Sequence, residues 1–143
     1  MRSERYYLDS NIVYFIAADK KMSELTAEVR DIIEEPGFLK YVPSKCVEEL
    51  IYLFQSGKIE VKRWKSAEDI VGYIEGELLY EIVYVNRNHL RMLAELPLFP
   101  DHKDQTDRII IAQAIADKIP IISSDEKFHD YKRSKLNFIF NER

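Results

Sequence analysis

The sequence predicts a three-layer α/β fold, in which helices cover both faces of a mostly parallel sheet of about five strands. Short apolar runs of strand length alternate along the chain with longer segments whose apolar residues recur at helical spacing. The chain has 143 residues, of which 46% are hydrophobic, and this suffices for one buried core but not for two. Because no repeat, linker or low-complexity tract divides the chain, we expect one domain over residues 1–143.

Five short runs rich in aromatic or β-branched residues are predicted as strands. They are residues 6–8, 38–42, 80–85, 121–123 and 136–140. Strands joined by right-handed helical crossovers lie parallel, so their carboxyl ends share one edge of the sheet.

Helices are predicted between these strands from apolar residues three and four positions apart and from residues that commonly cap helices. They are residues 12–17, 23–34, 44–55, a short helix from 66, 88–96 and 104–118. Ser23 and Asn88 are the expected N-caps of the second and fifth helices. Asp104 opens the most clearly patterned helix, which Pro120 terminates.

The composition limits the classes of protein to consider. A formal net charge of −4 argues against a surface that binds nucleic acid all over, although a local basic groove remains compatible with it. Cys46 is the sole cysteine and cannot form an internal disulfide, which favours a reducing compartment. With no secretory signal and no apolar run of membrane-spanning length, the sequence predicts a soluble cytoplasmic protein.

Acidic residues from four chain segments are expected at one edge of the sheet. Asp9 ends the first strand, Asp125 follows the fourth, and Glu49 lies about one turn into the helix after the second strand. Asp104 and Asp107 lie in the first turn of the helix that leads back into the fourth strand. That helix begins at the edge where the strands end, so these carboxylates should share one rim.

Such a group of carboxylates indicates a cation site. Two carboxylates 4 Å apart repel by about 4 kcal/mol at an effective dielectric near 20, so the group favours a bound cation or shared protons. Oxygen ligands without His or Cys at zinc-like spacing suit one or two Mg²⁺ or Mn²⁺ ions. Such ions activate water and stabilise charge on a phosphate, so the predicted reaction is phosphodiester hydrolysis.

Structural interpretations of the same acids remain open. Asp104 is the best N-cap in the chain, and Asp107 could complete its capping box. Asp9 and Asp125 could likewise act only as caps. Each acid alone is weak evidence for a metal site, and it is their expected position at one edge of the sheet that supports the metal interpretation.

Glu48 and Glu49 are adjacent on one predicted helix, so both cannot face inward. Glu49 shares a helix face with Cys46, Leu50 and Leu53. We therefore expect Glu49 to face the rim and Glu48 to face solvent.

Four stretches resemble, in order, the motifs of the PIN-domain family. Residues 8–13 (LDSNIV) resemble its opening motif, and residues 46–50 (CVEEL) resemble its second. Residues 94–98 followed by 104–114 (DQTDRIIIAQA) are similar to a stretch of one VapC-like toxin branch. Residues 121–128 (IISSDEKF) resemble the last motif, an apolar strand followed by Ser or Thr and an acid. Nearly the whole chain is covered by the resemblance.

The resemblance implies a five-stranded parallel sheet and a VapC-like toxin ribonuclease of a type II toxin–antitoxin system. The family's catalytic, metal-binding acids are carried over by position to Asp9, Glu49, Asp107 and Asp125. Asp104 would be a supporting acid, and Ser10 or Ser123 would hydrogen-bond a water on the metal. Gln105-Thr106 stand where Pro-Phe is usual in that branch, which affects the subfamily placement more than the chemistry.

The resemblance also implies partners: an RNA substrate, a small antitoxin and a second copy in a homodimer. A catalytically silent PIN-like domain that binds RNA or protein remains the alternative. A haloacid-dehalogenase-like phosphatase fits poorly, because Asn11 occupies the position of its second Asp. A phosphoacceptor receiver domain also fits poorly, because Val85-Asn86 ends the third strand where an acceptor Asp is needed.

Other polar residues are open to two interpretations. Trp64 lies in a basic segment, residues 58–65, which is either a solvated loop or an RNA contact with a stacking ring. A second basic segment, residues 127–135, could line the same groove. No histidine has metal-ligand spacing, and surface positions are expected for all of them. They are His89, His102 and His129.

Overall fold

A computed structural model describes residues 4–101 and 104–143, so His102 lies outside the described residues. One sheet with strand order β3-β2-β1-β4-β5 forms the centre of the molecule, and all of its paired strands are parallel. The strands are β1 (Arg5–Leu8), β2 (Leu39–Pro43), β3 (Glu81–Val83), β4 (Ile121–Ser123) and β5 (Phe138–Phe140). The predicted α/β fold with a five-stranded sheet is confirmed.

Helices connect these strands. They are α1 (Ser10–Ala18), α2 (Ala27–Glu34), α3 (Ser44–Gln55), α4 (Glu68–Gly72), α5 (Arg87–Glu95) and α6 (Gln105–Asp117). A π-helical turn (Tyr73–Glu77) continues α4, and a 3₁₀ helix (Glu126–Ser134) joins β4 to β5. None of the helices in the described parts of the chain is long and apolar enough to span a membrane.

The N-caps of α2 and α5 differ from the prediction. Thr26, not Ser23, caps α2 by accepting a hydrogen bond from the backbone N–H of Val29 at 3.2 Å. The hydroxyl of Ser23 instead donates to the carboxylate of Asp19. Asn86, not Asn88, caps α5 through a reciprocal capping box. In both places several capping residues lie close together, and local sequence does not decide between them.

The core explains why β1 lies at the centre of the sheet. Tyr6, Tyr7 and Leu8 are all buried, and successive strand residues point to opposite faces, so both faces of the sheet are covered. Every residue from 108 to 115 of α6 is buried, which is typical of a helix packed on several sides. Helix α6 ends at Asp117, and the next residue, Lys118, caps it with a φ of 57°, in the left-handed region common at helix C-termini.

Trp64 belongs to this core and does not face solvent. It is 4% exposed, and its ring packs edge-on against Tyr73 at 5.7 Å and Phe54 at 6.3 Å between ring centres. The interpretation of Trp64 as an RNA-stacking ring is therefore wrong. The basic neighbours of Trp64 suggest an exposed segment, but the aromatic side chains that pack against it lie outside that segment, ten positions before and nine positions after it.

Candidate active site: an acidic cavity at the carboxyl edge of the sheet

A cavity of about 360 Å³ opens where β1 and β4 end. The register pairs Leu8 with Ile122, and the backbone N–H of Asp9 donates to the carbonyl of Ile122 at 3.0 Å, so the two strand ends are fixed side by side. The carboxylates in the cavity wall are Asp9, Glu49, Asp104, Asp107 and Asp125. The structure thus gathers these acids at the edge where the sequence predicts them, while their metal-binding and catalytic roles stay predictions.

Asp9 is the most deeply placed of these acids, with 3% of its surface exposed. One carboxylate oxygen accepts from the backbone N–H of Ser10 at 2.8 Å and lies 3.5 Å from the thiol of Cys46. The other accepts from the hydroxyl of Ser123 at 2.7 Å and the amide of Asn11 at 3.3 Å. Burial raises the pKa of Asp9, and the bonds from Ser123 and the Ser10 backbone oppose that rise. Asp9 therefore caps α1 and also lines the cavity.

Glu49 reaches the cavity from α3, and its carboxylate accepts a hydrogen bond from the hydroxyl of Ser10. Burial raises the pKa of Glu49, while the Ser10 bond lowers it and nearby acids raise it further. The adjacent Glu48 is exposed and forms an ion pair with Lys45 at 3.3 Å. Of the two neighbouring glutamates, the structure turns Glu49 inward, as its helix face predicts.

Asp104 and Asp107 approach the cavity from the start of α6. The exposed Asp104 caps the helix by accepting from the backbone N–H of Asp107 at 3.0 Å. The pKa of Asp107 is raised to about 8, first by burial and then by the negative charges of Asp9, Asp104, Asp125 and Glu49. The carboxylates therefore interact electrostatically as one group.

Asp125 follows β4, caps the 3₁₀ helix and accepts from the backbone N–H of Lys127 at 2.9 Å. Its own N–H donates at 3.0 Å to the hydroxyl of Ser123, which in turn donates to Asp9. Ser123 is fully buried and Ser10 nearly so. Both hydroxyls orient acids in this structure, and their expected contact with a water on the metal stays a prediction.

Sequence reasoning gave no role to two asparagines that hold the edge together. The side-chain oxygen of Asn11 accepts from the backbone N–H of Ser124 at 3.2 Å, which ties the start of α1 to the chain after β4. Asn141 is fully buried and donates to the hydroxyl of Ser124 at 2.8 Å and the carbonyl of Glu24 at 2.9 Å. The opening motif contains Asn11 and could have indicated it, whereas no local pattern points to Asn141.

Arg143 was also missed, although it lines the cavity. Its Nε lies 3.2 Å from a carboxylate oxygen of Glu24. Its guanidinium carbon lies 4.6 Å from the centre of the Phe15 ring. These two contacts place a positive charge on the rim of an otherwise acidic cavity.

The arrangement of the cavity acids determines which kind of cation they can hold. Within residues 4–101 and 104–143, no group of three or more His, Cys, Asp or Glu side chains is arranged as a ready-made metal site. The cavity acids are nevertheless all oxygen donors, and their mutual repulsion decreases when a cation lies between them. Mg²⁺ keeps several waters and often takes only one or two carboxylates directly. The residues therefore fit a hydrated divalent ion and not a closed cage.

His89 contradicts its predicted surface position. It is fully buried, its Nδ1 accepts from the backbone N–H of Asn86 at 3.1 Å, and its Nε2 lies 2.9 Å from Asp117. The ring completes the capping box of α5 and joins α5 to the end of α6, which the spacing of histidines alone does not indicate. His129 is exposed, as predicted.

Comparison with known proteins identifies the fold and the family. Residues 6–134 match the model of the PIN domain. No curated protein matches the chain. One similar solved structure is that of VapBC2 from Rickettsia felis bound to a DNA fragment from their promoter, with a TM-score of 0.64 and 15% identity over 96% of this chain and 99% of that chain.

Two further structures are similar at the level of the fold. DNA-bound VapBC from Salmonella typhimurium gives a TM-score of 0.63 and 16% identity, over 95% of this chain and 97% of that chain. VapBC-1 from nontypeable Haemophilus influenzae gives 0.61 and 17%, over 95% and 97%. The family model covers most of the sequence, and the fold agrees with it. The chain belongs to the PIN-domain family.

Proposed function

We propose that this protein is a divalent-metal-dependent endoribonuclease and the toxin of a toxin–antitoxin pair. The observation that carries the proposal is the convergence of five carboxylates on one cavity in a chain of the PIN-domain family. Carboxylates from separate elements repel one another when they lie close together. Their convergence on one cavity is therefore typical of a functional site that binds a cation.

The residues proposed to hold one or two Mg²⁺ or Mn²⁺ ions are Asp9, Glu49, Asp107 and Asp125. When bound, such an ion lowers the pKa of a water and neutralises charge on the phosphate. Asp104, on the exposed side of the cavity, is proposed to add negative charge at the entrance. The fixed hydrogen bonds of Ser10 and Ser123 keep the acids oriented, so that little reorganisation is needed during the reaction.

The form of the cavity favours single-stranded RNA as the substrate. Its volume of about 360 Å³ is that of a small-molecule site, and its deepest acid, Asp9, is almost wholly buried. A duplex cannot bring a phosphate into such a recess, whereas an unpaired strand can bend into it and turn its bases outward. We therefore propose cleavage in loops or other unpaired segments.

We also propose a protein partner and a homodimer. The similar solved structures are named as VapBC complexes, and the sequence resembles VapC-like toxins, which supports a small antitoxin as partner.

The proposal is tested by cleavage of total cellular RNA with EDTA, with Mg²⁺ and with Mn²⁺. Wild type is compared with Asp9→Asn, Asp107→Asn and Glu49→Gln, all purified identically. Glu48→Gln is the matched control, because Glu48 is the exposed neighbour of Glu49 and pairs with Lys45. We expect metal-dependent cleavage by wild type and Glu48→Gln, and none above background by the other variants.

Two outcomes would contradict the nuclease. Cleavage that persists in all acid variants would indicate a contaminating ribonuclease. Binding of RNA without cleavage, in either metal, would favour the alternative of a catalytically silent PIN-like domain.

A further inference from the structure

We propose that Arg143 binds an RNA phosphate next to the one that is cleaved, a role that rests on the proposed ribonuclease function. Among the described residues that line the acidic cavity, Arg143 alone carries a positive charge. Its side chain is 55% exposed, so a strand can reach it directly from solvent.

The need for such a cation follows from the charge of the cavity. Single-stranded RNA carries one negative charge per nucleotide, and its affinity for proteins depends strongly on neutralising these charges. The cavity wall presents five carboxylates, among them the exposed Asp104. A bound divalent ion would offset the repulsion between these carboxylates and the scissile phosphate, but not their repulsion of the flanking phosphates. A guanidinium on the rim offsets the repulsion of a flanking phosphate.

The contacts of Arg143 allow a phosphate to replace Glu24 as its partner. Its guanidinium lies against the buried ring of Phe15, which limits its orientations without using its hydrogen-bond donors. The planar fork of an arginine can bind a phosphate with two parallel hydrogen bonds. The ion pair with Glu24 involves two exposed side chains, 55% and 50% exposed, and such pairs contribute little stability. A phosphate can therefore displace Glu24 at small cost.

This arrangement predicts opposite effects for the two partners of the ion pair. Arg143→Ala removes the phosphate contact, so KM for RNA should rise about tenfold while kcat stays within about twofold. Glu24→Gln removes the competitor of the phosphate, so KM should fall about twofold. If the pair served only to fix the segment after β5, both substitutions would loosen that segment and change KM in the same direction.

The experiment uses the full chain and a fluorescent pool of random-sequence single-stranded oligoribonucleotides. Cleavage is followed in Mn²⁺, and binding is followed by anisotropy in EDTA for wild type, Arg143→Ala, Arg143→Lys and Glu24→Gln. Arg91→Ala is the matched control, because Arg91 is an exposed arginine that does not line the cavity. Thermal melting of each variant identifies any loss of folding.

For Arg143→Ala, the slope of log affinity against log salt should decrease in magnitude by about 0.7, the value for one phosphate contact with a single strand. Arg143→Lys should retain the salt slope and recover only part of the affinity, because it keeps the charge and loses the fork. Arg91→Ala should match wild type.

Equal RNA affinity of Arg143→Ala and wild type would overturn the inference, as would parallel changes in Arg143→Ala and Glu24→Gln. Binding of an oligoglutamate peptide that depends on Arg143, with RNA binding unchanged, would overturn it in favour of an acidic protein ligand. Failure of the proposed nuclease is seen separately, because wild type would then not cleave the pool while the anisotropy assay would still measure the Arg143 contact.

Discussion

Two polar clusters in this protein follow opposite electrostatic rules. In the acidic cavity, burial combines with like charges to raise the pKa of Asp107 to about 8. Near the opposite end of α6, Tyr7 donates to Asp117 at 2.5 Å, His89 lies 2.9 Å from the same carboxylate, and Gln113 donates to Tyr7 at 3.2 Å. In each of these three contacts a donor faces an acceptor. We call this second cluster the Tyr7 network (Tyr7, His89, Gln113 and Asp117).

This difference in electrostatics separates the side chains of the Tyr7 network, which stabilise the folded state, from the acids of the cavity, which destabilise it. The Tyr7 network joins β1 to α5 and α6, and burial together with Asp117 keeps the pKa of Tyr7 well above its usual range, so Tyr7 remains a donor. The acidic cavity gathers charges that repel one another, and this repulsion is a cost that folded proteins accept at functional sites.

The largest expected effect contrasts one aspartate from each cluster. Asp107→Asn should reduce metal-dependent RNA cleavage at least about a hundredfold, because it removes a proposed metal ligand. Asp117→Asn should leave the initial rate within about twofold, because Asp117 lies at the opposite end of α6 from the cavity. The measurement is the initial rate at matched protein concentration. Equal loss in both variants would remove the distinction between the clusters.

The next effect concerns stability. His89→Ala should lower the free energy of unfolding by about 3 kcal/mol, since it leaves a cavity and removes the hydrogen bonds of a fully buried ring. Urea denaturation followed by circular dichroism measures it. His129→Ala is the control, because His129 is exposed and its removal should cost under about 1 kcal/mol. A His89 effect no larger than the control would show that the Tyr7 network contributes little.

These clusters also show what sequence could and could not predict. The acids are predictable because each lies at the end of a strand, early in the helix that follows a strand, or at the start of the helix that leads into one. Parallel topology brings all of these positions to one edge of the sheet. The Tyr7 network is not, because Tyr7 and Asp117 are 110 positions apart and no periodic pattern relates them. The prediction of the α2 N-cap is wrong for a similar reason. The backbone N–H of Thr26, the actual cap, donates at 2.7 Å to the side-chain oxygen of Asn141, 115 positions away. The alternation of strands and helices is encoded in local sequence, whereas the partners of buried polar side chains are determined by tertiary packing.

A smaller effect tests whether the repulsion in the acidic cavity is relieved by metal. At ten times its dissociation constant, Mg²⁺ or Mn²⁺ should stabilise the protein by about 1.4 kcal/mol through mass action. This corresponds to a rise in Tm of about 4 °C for a chain of this length. Asp9→Asn should largely abolish the rise, and Glu48→Gln should retain it. An unchanged Tm of wild type at millimolar metal would argue against the proposed ion.

The smallest effect is a gain in stability from the same substitution that destroys activity. The folded-state pKa of Asp107, about 8, lies above the ordinary carboxyl value of 3.8, so folding binds a proton and stability is lost as pH rises through this window. In EDTA at pH 8.5, Asp107→Asn should therefore raise the free energy of unfolding by about 1 kcal/mol after allowance for screening by water.

At pH 4 the gain from Asp107→Asn should vanish, because the native carboxyl is then protonated in the folded state and carries no charge to relieve. Urea unfolding at both pH values provides the measurement. Asp117→Asn is the matched comparison and should be destabilising at pH 8.5, since it weakens bonds to Tyr7 and His89. If Asp107→Asn is also destabilising at pH 8.5, the negative charge of Asp107 does not oppose folding. The electrostatic contrast between the acidic cavity and the Tyr7 network would then be wrong.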